Sequence, residues 1–224
     1  MGLKDSGLRG SLRSVSTGVP AIPDSEVYLH DDWGDNRLTD REDSGTTTYN
    51  GVEGVYRPEW TIARGDPQAV NEELDLDGDD VVTTELSVAL SEGITVELSN
   101  FDGTGSRDGG TAQYGCSFIS ETNSIKASNR FELQRSYSIR DFGADNLALT
   151  RNDDSDRSVL IDIGSYSAPA DITVTRTSNG EFEVFVDGVS QGTATDTTYS
   201  EISHCGFGAR DDDIDFQVNE FKIS

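Results

Sequence analysis

Apolar and polar residues alternate along most of the chain after Tyr56, in short segments that recur roughly every ten residues. Gly, Asp and Asn cluster between these segments, where a chain of strands needs its turns. No apolar periodicity typical of a helix extends beyond a single turn. We therefore predict an all-β protein, a jelly-roll-like antiparallel β-sandwich with an extended N-terminal arm.

Two regions predict particular strand connections. Val82 and Leu86 share one face of a strand, and the alternation from Ile94 to Leu98 follows a turn at residues 91–93, so we predict a β-hairpin there. Farther along, Ile172 and Val174 indicate one strand and residues 182–186 the next, with the tight-turn sequence Ser-Asn-Gly between them, and Asp187-Gly188 then turns the chain into a third short strand. These predict two successive hairpins.

The last strand changes the parity of its apolar residues. Phe216 and Val218 share one parity, whereas Phe221 and Ile223 share the other. A one-residue shift of this kind moves side chains to the opposite face of a sheet. We therefore predict a β-bulge near Asn219 or Glu220.

The chain divides into three regions by composition. In residues 1–24, Lys4, Arg9 and Arg13 give a basic segment, which we interpret as an N-terminal docking arm; a disordered terminus is the alternative. Residues 25–54 carry turn clusters and little regular apolar pattern, so we predict a loop-rich linker region with at most a short strand. Residues 55–224 form the predicted β-sandwich domain.

The net charge indicates the salt concentration in which the protein works and excludes one class of partner. Asp and Glu number 42 against 17 Lys and Arg, which gives a formal net charge of −25. Acidic residues are spread along the chain, a surface that suits molar salt, where the Debye length is about 3 Å. A nucleic-acid partner is excluded, because it would need a Lys/Arg stripe to displace counterions from phosphate.

Targeting and cysteine content add little that is specific. No stretch approaches the roughly 20 apolar residues of a membrane span, and the N-terminus lacks a signal peptide's apolar block of roughly 7–15 residues. We expect a chain with no membrane span and no classical export signal. Cys116 and Cys205 have no zinc-type spacing, and both two buried thiols and one disulfide remain open.

The C-terminal sequence resembles a known family of β-sandwich domains. The segment ITVTRTSNGEFEVFVDGVSQGTAT and the closing strand IDFQVNEFKIS are similar to the C-terminal half of concanavalin A-like lectin/glucanase domains, including laminin G-like domains. The resemblance covers residues 55–224. It implies a sandwich fold and a lectin or glucanase role, between which a fold alone does not decide.

The first 60 residues resemble a different group. The basic arm and the segment LHDDWGDNRLTDR, on so acidic a chain, look like virion proteins of haloarchaeal tailed viruses. This resemblance implies a turret, fibre or baseplate component, assembled in the host cytoplasm and carried on the extracellular particle. The arm would then bind other virion proteins.

Residues 73–77, ELDLD, offer two kinds of chemistry. They resemble the ExDxE strand of family 16 glycanases, but Asp77 stands where that family has its acid/base Glu. We interpret the alternation as chance in an acidic chain and predict that the protein is not an enzyme. Asp75, Asp77 and Asp79 are the candidate ligands of a Ca²⁺ ion, and no other cofactor is expected.

Aromatic rings supply the candidate sugar-binding surface. Trp33, Tyr56 and Trp60 are the richest local group of rings, and Phe101 begins a Gly-rich loop of the kind that carries recognition. A core position for the tryptophans is the alternative. These four residues are the predicted ligand-binding set.

Together these features predict a virion structural and adhesive protein whose lectin-like sandwich contacts a glycan or glycoprotein of the host surface. Repeated copies would add avidity, so we expect a homo-oligomer. A glycan hydrolase of the same fold and a carbohydrate-binding module with no virus connection are the alternatives.

Overall fold

The computed structural model describes residues 27–40, 45–49, 52–89, 93–104, 113–125, 132–142, 146–154, 156–210 and 214–224. Lys4, Arg9 and Arg13 of the predicted docking arm lie outside this part. The first strands are β1 (Leu29–Asp31), β2 (Gly45–Tyr49), β3 (Val52–Tyr56), β4 (Thr61–Arg64), β5 (Gln68–Val70), β6 (Glu73–Asp77), β7 (Val81–Ala89), β8 (Ile94–Thr104) and β9 (Gln113–Ser120). The others are β10 (Ser136–Asp141), β11 (Asn146–Asp153), β12 (Asp156–Ser165), β13 (Ala170–Arg176), β14 (Glu181–Val186), β15 (Val189–Thr195), β16 (Glu201–Arg210), β17 (Asp215–Val218) and β18 (Glu220–Ile223).

The strands form two sheets that face each other. The larger has 11 strands. Eight of them follow the order β15-β14-β13-β8-β18-β1-β3-β2, and the other three branch from β8, which pairs with β17, β17 with β6, and β6 with β5. The smaller has seven, in the order β12-β11-β10-β9-β16-β7-β4. Among the described pairings, β1 with β3 is parallel and the rest are antiparallel. The predicted all-β antiparallel sandwich is confirmed, and within the described residues no helix has the length and apolar character of a membrane span.

One apolar core lies between the sheets. The strands bury alternate residues, as β14 does with Phe182 and Val184, both fully buried. Aromatic side chains meet at its centre, where Phe207 lies 4.9 Å from Phe221 between ring centroids. Burying a side chain of this size contributes about 1.5–3 kcal/mol, so such contacts carry much of the stability.

The two C-terminal hairpins are confirmed, and the hairpin predicted in the middle of the chain is not. Near the C-terminus, β13 pairs with β14 and β14 with β15, as predicted. In the middle of the chain the prediction is wrong: β7 pairs with β4 and β16, whereas β8 pairs with β13, β17 and β18 in the opposite sheet. Each strand buries one face in the common core, and alternation is the same whether the next strand pairs or crosses over.

The region predicted as a loop-rich linker contributes to the larger sheet. β1, β2 and most of β3 lie within residues 25–54, and β1 pairs with both β18 and β3. These strands are short and are flanked by Gly and Asp residues, so the alternation of apolar and polar residues is too brief to predict them. Leu29 of β1 is fully buried, so this region shares the core of the sandwich.

A strand break is present at Asn219, but it is not the predicted β-bulge, because no extra residue enters one strand alone and the neighbouring strand changes with it. The break between β17 and β18 falls at Asn219, while Asn100 opposite it on β8 has a left-handed φ of 54°. The register between the two strands is the same on both sides of the break, with Phe216 opposite Gly103 and Phe221 opposite Leu98. Both strands therefore turn an extra residue outward at this point.

The two cysteines are free thiols in the core. Cys116 on β9 and Cys205 on β16 are both fully buried. Burial raises the pKa of both thiols well above its ordinary value, so neither forms a thiolate near neutral pH.

Candidate functional site

Three of the four rings predicted to bind ligand lie in the core. Trp33 and Phe101 are fully buried and Trp60 is 1% exposed. Trp33 and Trp60 pack with their ring centroids 5.4 Å apart, and Phe101 lies 5.1 Å from Phe216. The structure thus corrects the prediction, because these large rings stabilise the core and present no face to a sugar.

Asp31, at the end of β1, holds the two tryptophans in place. Its carboxylate is fully buried, accepts a 2.7 Å hydrogen bond from Trp60 Nε1 and accepts another from the Trp33 backbone N–H at 3.0 Å. A buried carboxylate needs such partners, since an unmatched one is costly. Asp31 therefore serves the core rather than a ligand.

Tyr56 is the predicted ring that reaches the surface. It is half-buried, at the end of β3, on the face of the larger sheet that points away from the core. The parallel register places it beside His30 of β1, with ring centroids 5.4 Å apart. The Arg57 guanidinium carbon lies 4.9 Å from the centre of the Tyr56 ring.

Asp32 joins these groups. Its carboxylate accepts hydrogen bonds from Tyr56 Oη at 2.7 Å, Arg57 Nε at 2.8 Å and the Gly34 backbone N–H at 3.1 Å. Burial tends to raise the pKa of Asp32, but the hydrogen bonds from Arg57, Tyr56 and Gly34 outweigh it and lower that pKa to about 2. Burial, followed by the hydrogen bond to Asp32, raises the pKa of Tyr56 to about 12.

The backbone around Asp32 is held in an uncommon conformation. Trp33 has a φ of 51° and Arg57 a φ of 48°, both in the left-handed region that bulky residues avoid. Such conformations persist where the surrounding contacts determine them, and they concentrate at binding sites. Here the buried Trp33 ring and the Asp32–Arg57 ion pair supply those contacts.

A second ion pair adjoins this group. His30 Nε2 lies 2.7 Å from Glu220 Oε1, and Glu220 on β18 keeps 44% of its side chain exposed. We call His30, Asp32, Tyr56, Arg57 and Glu220 the Tyr56 cluster. Its Tyr56 ring, its Arg57 guanidinium and its two carboxylates are partly exposed on the outer face of the larger sheet, whereas the His30 imidazole beneath them is buried.

Carboxylates meet at a second place, on β6 and β17. Ligand oxygens of Asp75, Asp77 and Asp215 lie within 4.8 Å of one another, because Asp215 is the register partner of Asp77. Burial, and then the negative charges of Asp215 and Asp77, raise the pKa of Asp75 to about 6. Ca²⁺ takes carboxylate oxygens as ligands, about six to eight oxygens in all, so these three side chains would supply part of its coordination shell.

Asp79 does not join Asp75 and Asp77. It forms an ion pair with Arg64 instead, beyond the turn that ends β6. Asp215 takes the third position in this carboxylate group, and no pattern in the sequence indicates it, because the pairing of β17 with β6 brings together residues far apart in the chain. The alternating Glu73, Asp75 and Asp77 point away from the core, since Leu74 and Leu76 between them are fully buried.

Comparison with known proteins shows the fold. The sequence matches no protein-family model and no curated protein. Among solved structures, the Emp47p carbohydrate recognition domain is similar with a TM-score of 0.57 at 13% identity, covering 73% of this chain and 87% of that one. The metal-free Emp46p carbohydrate recognition domain has a TM-score of 0.51 at 11% identity, covering 73% of this chain and 87% of its own.

A toxin shares the architecture as well. A structure titled for the cell entry of botulinum neurotoxin type C through two ganglioside molecules matches with a TM-score of 0.54 at 12% identity, covering 83% of this chain. The match covers 48% of that toxin chain, about half its length. The chain therefore has a lectin-like β-sandwich fold.

Proposed function

We propose that this protein binds a glycan through the Tyr56 cluster and does not turn it over. One observation carries the proposal: the half-buried Tyr56 ring contacts both the Asp32 carboxylate and the Arg57 guanidinium on the outer face of a lectin-like sandwich. A sugar needs a flat apolar surface for its C–H face and fixed polar groups for its hydroxyls. The Tyr56 cluster supplies both.

The electrostatics of the Tyr56 cluster suit hydroxyl recognition. The pKa of Asp32 is about 2, so its carboxylate is ionised and accepts hydrogen bonds at neutral pH. With 37% of its side chain exposed, it can accept a further bond from a sugar hydroxyl while it keeps Arg57. The fixed backbone holds these groups in place before the ligand arrives, which lowers the entropic cost of binding.

The structural neighbours support the same class of ligand. Two of them are carbohydrate recognition domains by title, and a third is titled for interaction with gangliosides. A glycan-binding role for this chain agrees with that use of the fold.

The test is the loss of glycan binding on truncating one ring. Tyr56→Ala should abolish binding on a glycan array in molar KCl, because it removes the stacking surface and frees Asp32. Phe142→Ala is the matched control: that half-buried ring lies 4.2 Å under the Arg140 guanidinium on the other sheet. Equal binding by wild type and Tyr56→Ala, with both folded, would refute the site.

The finer proposal places the sandwich on a virion. The net charge of −25 suits a haloarchaeal virus, and the basic residues Lys4, Arg9 and Arg13 would dock the chain to other virion proteins. Several copies on one particle would turn a weak contact with a host-surface glycan or glycoprotein into useful avidity. Mass spectrometry of purified particles should detect the chain, and its absence from them would refute this placement.

A glycanase of the same fold is the second candidate. Asp75 favours it, since its pKa of about 6 suits a general acid and two further carboxylates lie beside it. Retaining hydrolysis uses two carboxyl groups about 5–5.5 Å apart. Asp75→Asn would then abolish hydrolysis of a polysaccharide in molar salt; a panel of β-glucans left uncut by the wild type excludes this candidate.

The third reading, a carbohydrate-binding module outside any virus, shares the Tyr56 cluster. It differs from the virion proposal in where the gene lies. Neighbouring genes for portal, capsid and tail proteins would favour the virion.

A further inference from the structure

The paired irregularity of β8 and β17–β18 places extra polar side chains on the outer face of the larger sheet. Leu98, Phe101, Val218 and Phe221 are buried, so Ser99, Asn100, Asn219 and Glu220 between them point outward, and all four are half-buried. In a regular pair of strands only half of these positions would face outward. The side-chain amides of Asn100 and Asn219 are joined by a 2.6 Å hydrogen bond across the strands.

These residues continue the Tyr56 cluster. Glu220 belongs to both groups, since it follows Asn219 in the chain and its carboxylate meets His30, which lies beside the Tyr56 ring. From β3, which carries Tyr56, to β8, which carries Asn100, there are three strand spacings, or about 14 Å at about 4.8 Å each. We call Asn100, Asn219 and Glu220 the amide strip. The surface from Tyr56 to Asn100 is longer than one sugar ring.

The charges along this surface exclude an anionic ligand. The cationic groups already have carboxylate partners, since Arg57 pairs with Asp32 and Lys222 Nζ lies 2.7 Å from Glu97 Oε2; the buried His30 ring is likewise hydrogen-bonded to Glu220. Asp102 of β8 lies two residues beyond Asn100 and adds negative charge. A carboxylated or sulfated sugar would have to compete with one of these carboxylates for its cationic partner.

Amides and carboxylates without a free cation suit hydroxyl groups. An Asn amide both donates and accepts hydrogen bonds, as a sugar hydroxyl does. The bond between Asn100 and Asn219 fixes both amides, yet each keeps capacity for a further partner. The left-handed φ of Asn100 is one that Asn tolerates, so the amide is held there with little strain.

We infer that the amide strip is a second subsite beside the Tyr56 cluster, and that the ligand is a neutral oligosaccharide with one sugar residue on Tyr56 and another on Asn100 and Asn219. This inference rests on the proposed function. It adds the length of the ligand and its lack of charge.

The test compares monosaccharide with trisaccharide binding by titration calorimetry in molar KCl. The neutral probes are methyl mannoside with mannotriose, methyl glucoside with maltotriose, and N-acetylglucosamine with triacetylchitotriose; trigalacturonate is the anionic probe. The wild type should bind one neutral trisaccharide about tenfold more tightly than its monosaccharide, the ratio that one well-made contact gives. It should bind trigalacturonate more weakly than that trisaccharide.

Variants separate the two subsites. Asn219→Ala should abolish the preference for the trisaccharide and leave monosaccharide binding unchanged, whereas Tyr56→Ala should weaken both. Asn100→Gly gives a second removal of an amide, with a residue that accepts a positive φ at no steric cost. Thr193→Ala, at an exposed position on the far strand β15, is the control and should bind as the wild type does.

Three other results would overturn different parts of the proposal. A trisaccharide preference that survives both Asn219→Ala and Asn100→Gly overturns the second subsite and leaves the proposed function intact. Tighter binding of trigalacturonate than of any neutral trisaccharide overturns the ligand class alone. Binding of none of the probes by folded wild-type protein overturns the proposed function itself, and this inference with it.

Discussion

Removal of one buried carboxylate, Glu132→Ala, should destabilise the sandwich strongly. Glu132 and Arg140 have side chains 1% and 0% exposed, and Arg140 Nη1 lies 2.8 Å from Glu132 Oε2. They lie on the outer side of the seven-stranded sheet, where Phe142 covers the Arg140 guanidinium. Arg157 Nε lies 3.7 Å from the same Glu132 oxygen, so two guanidinium groups lie beside one carboxylate.

The magnitude follows from burial. Two unit charges at the observed 2.8 Å attract by about 6 kcal/mol at an effective dielectric constant of about 20. Burial already lowers the pKa of Arg140 to about 10, even though Glu132 raises it, so the charge is held against a desolvation cost. Without Glu132, Arg140 keeps its hydrogen bond to Gln113 Oε1 but loses the carboxylate that offsets most of this cost. Entry of water offsets part of it, and we expect a loss of about 3–5 kcal/mol in the free energy of unfolding.

Urea denaturation at constant molar KCl measures the loss as a lower midpoint at an unchanged m-value. Glu121→Ala is the matched control, because the Arg135–Glu121 pair has side chains 52% and 29% exposed and should be worth less than about 1 kcal/mol. The double variant Glu132→Leu/Arg140→Met should recover most of the loss, since it removes both charges of the fully buried pair. A loss below about 1 kcal/mol for Glu132→Ala would refute the argument that this pair is desolvated.

Three further predictions concern the turn and the carboxylates at β6. Asn71 and Glu72 both have positive φ in the two-residue turn between β5 and β6. Glu72→Gly should therefore raise the free energy of unfolding by about 0.5–1 kcal/mol, which urea denaturation detects as a higher midpoint. An unchanged midpoint would contradict the strain in this turn. The folded pKa of Asp75, about 6 against 3.8, means that its ionisation opposes folding, so stability from this group falls as pH rises from about 4 to 6. Asp75→Asn should flatten that fall in pH-dependent urea midpoints, and an unchanged profile would contradict the shift. Ca²⁺ should raise the thermal midpoint of the wild type above its value in Na⁺ at equal ionic strength, and Asp215→Asn should remove the rise while Asp79→Asn keeps it; equal midpoints in both salts would exclude the site.

Alternation along the chain predicts strands well where each strand pairs with the next. The hairpins at β13, β14 and β15 are of this kind, because tight-turn residues fix both the connection and the register. The change of parity between Val218 and Phe221 also shows in the sequence, since burial demands it. That Asn100 on β8 changes in step is visible only in the paired strands.

The candidate site was less predictable, for physical reasons. A Trp ring suits a core and a sugar site equally, and the burial of Trp33 and Trp60 depends on Asp31, whose direction a sequence does not show. Tyr56 and Glu220 meet through the pairing of β1 with both β3 and β18, which joins three distant parts of the chain. Contacts of such long range carry no local signal.

Asp31 and Asp32 are neighbours in the chain, yet one anchors the tryptophans inside and the other anchors Tyr56 and Arg57 outside. An engineer who wished to change the specificity of this protein could not treat scaffold and recognition surface as independent modules. A substitution that shifts Trp33 would also shift its neighbour Asp32, and with it the Tyr56 ring that Asp32 holds. Libraries that diversify the Tyr56 cluster should therefore hold Asp31 and Trp33 constant, and mutations selected for heat resistance near these residues should be screened for altered sugar preference.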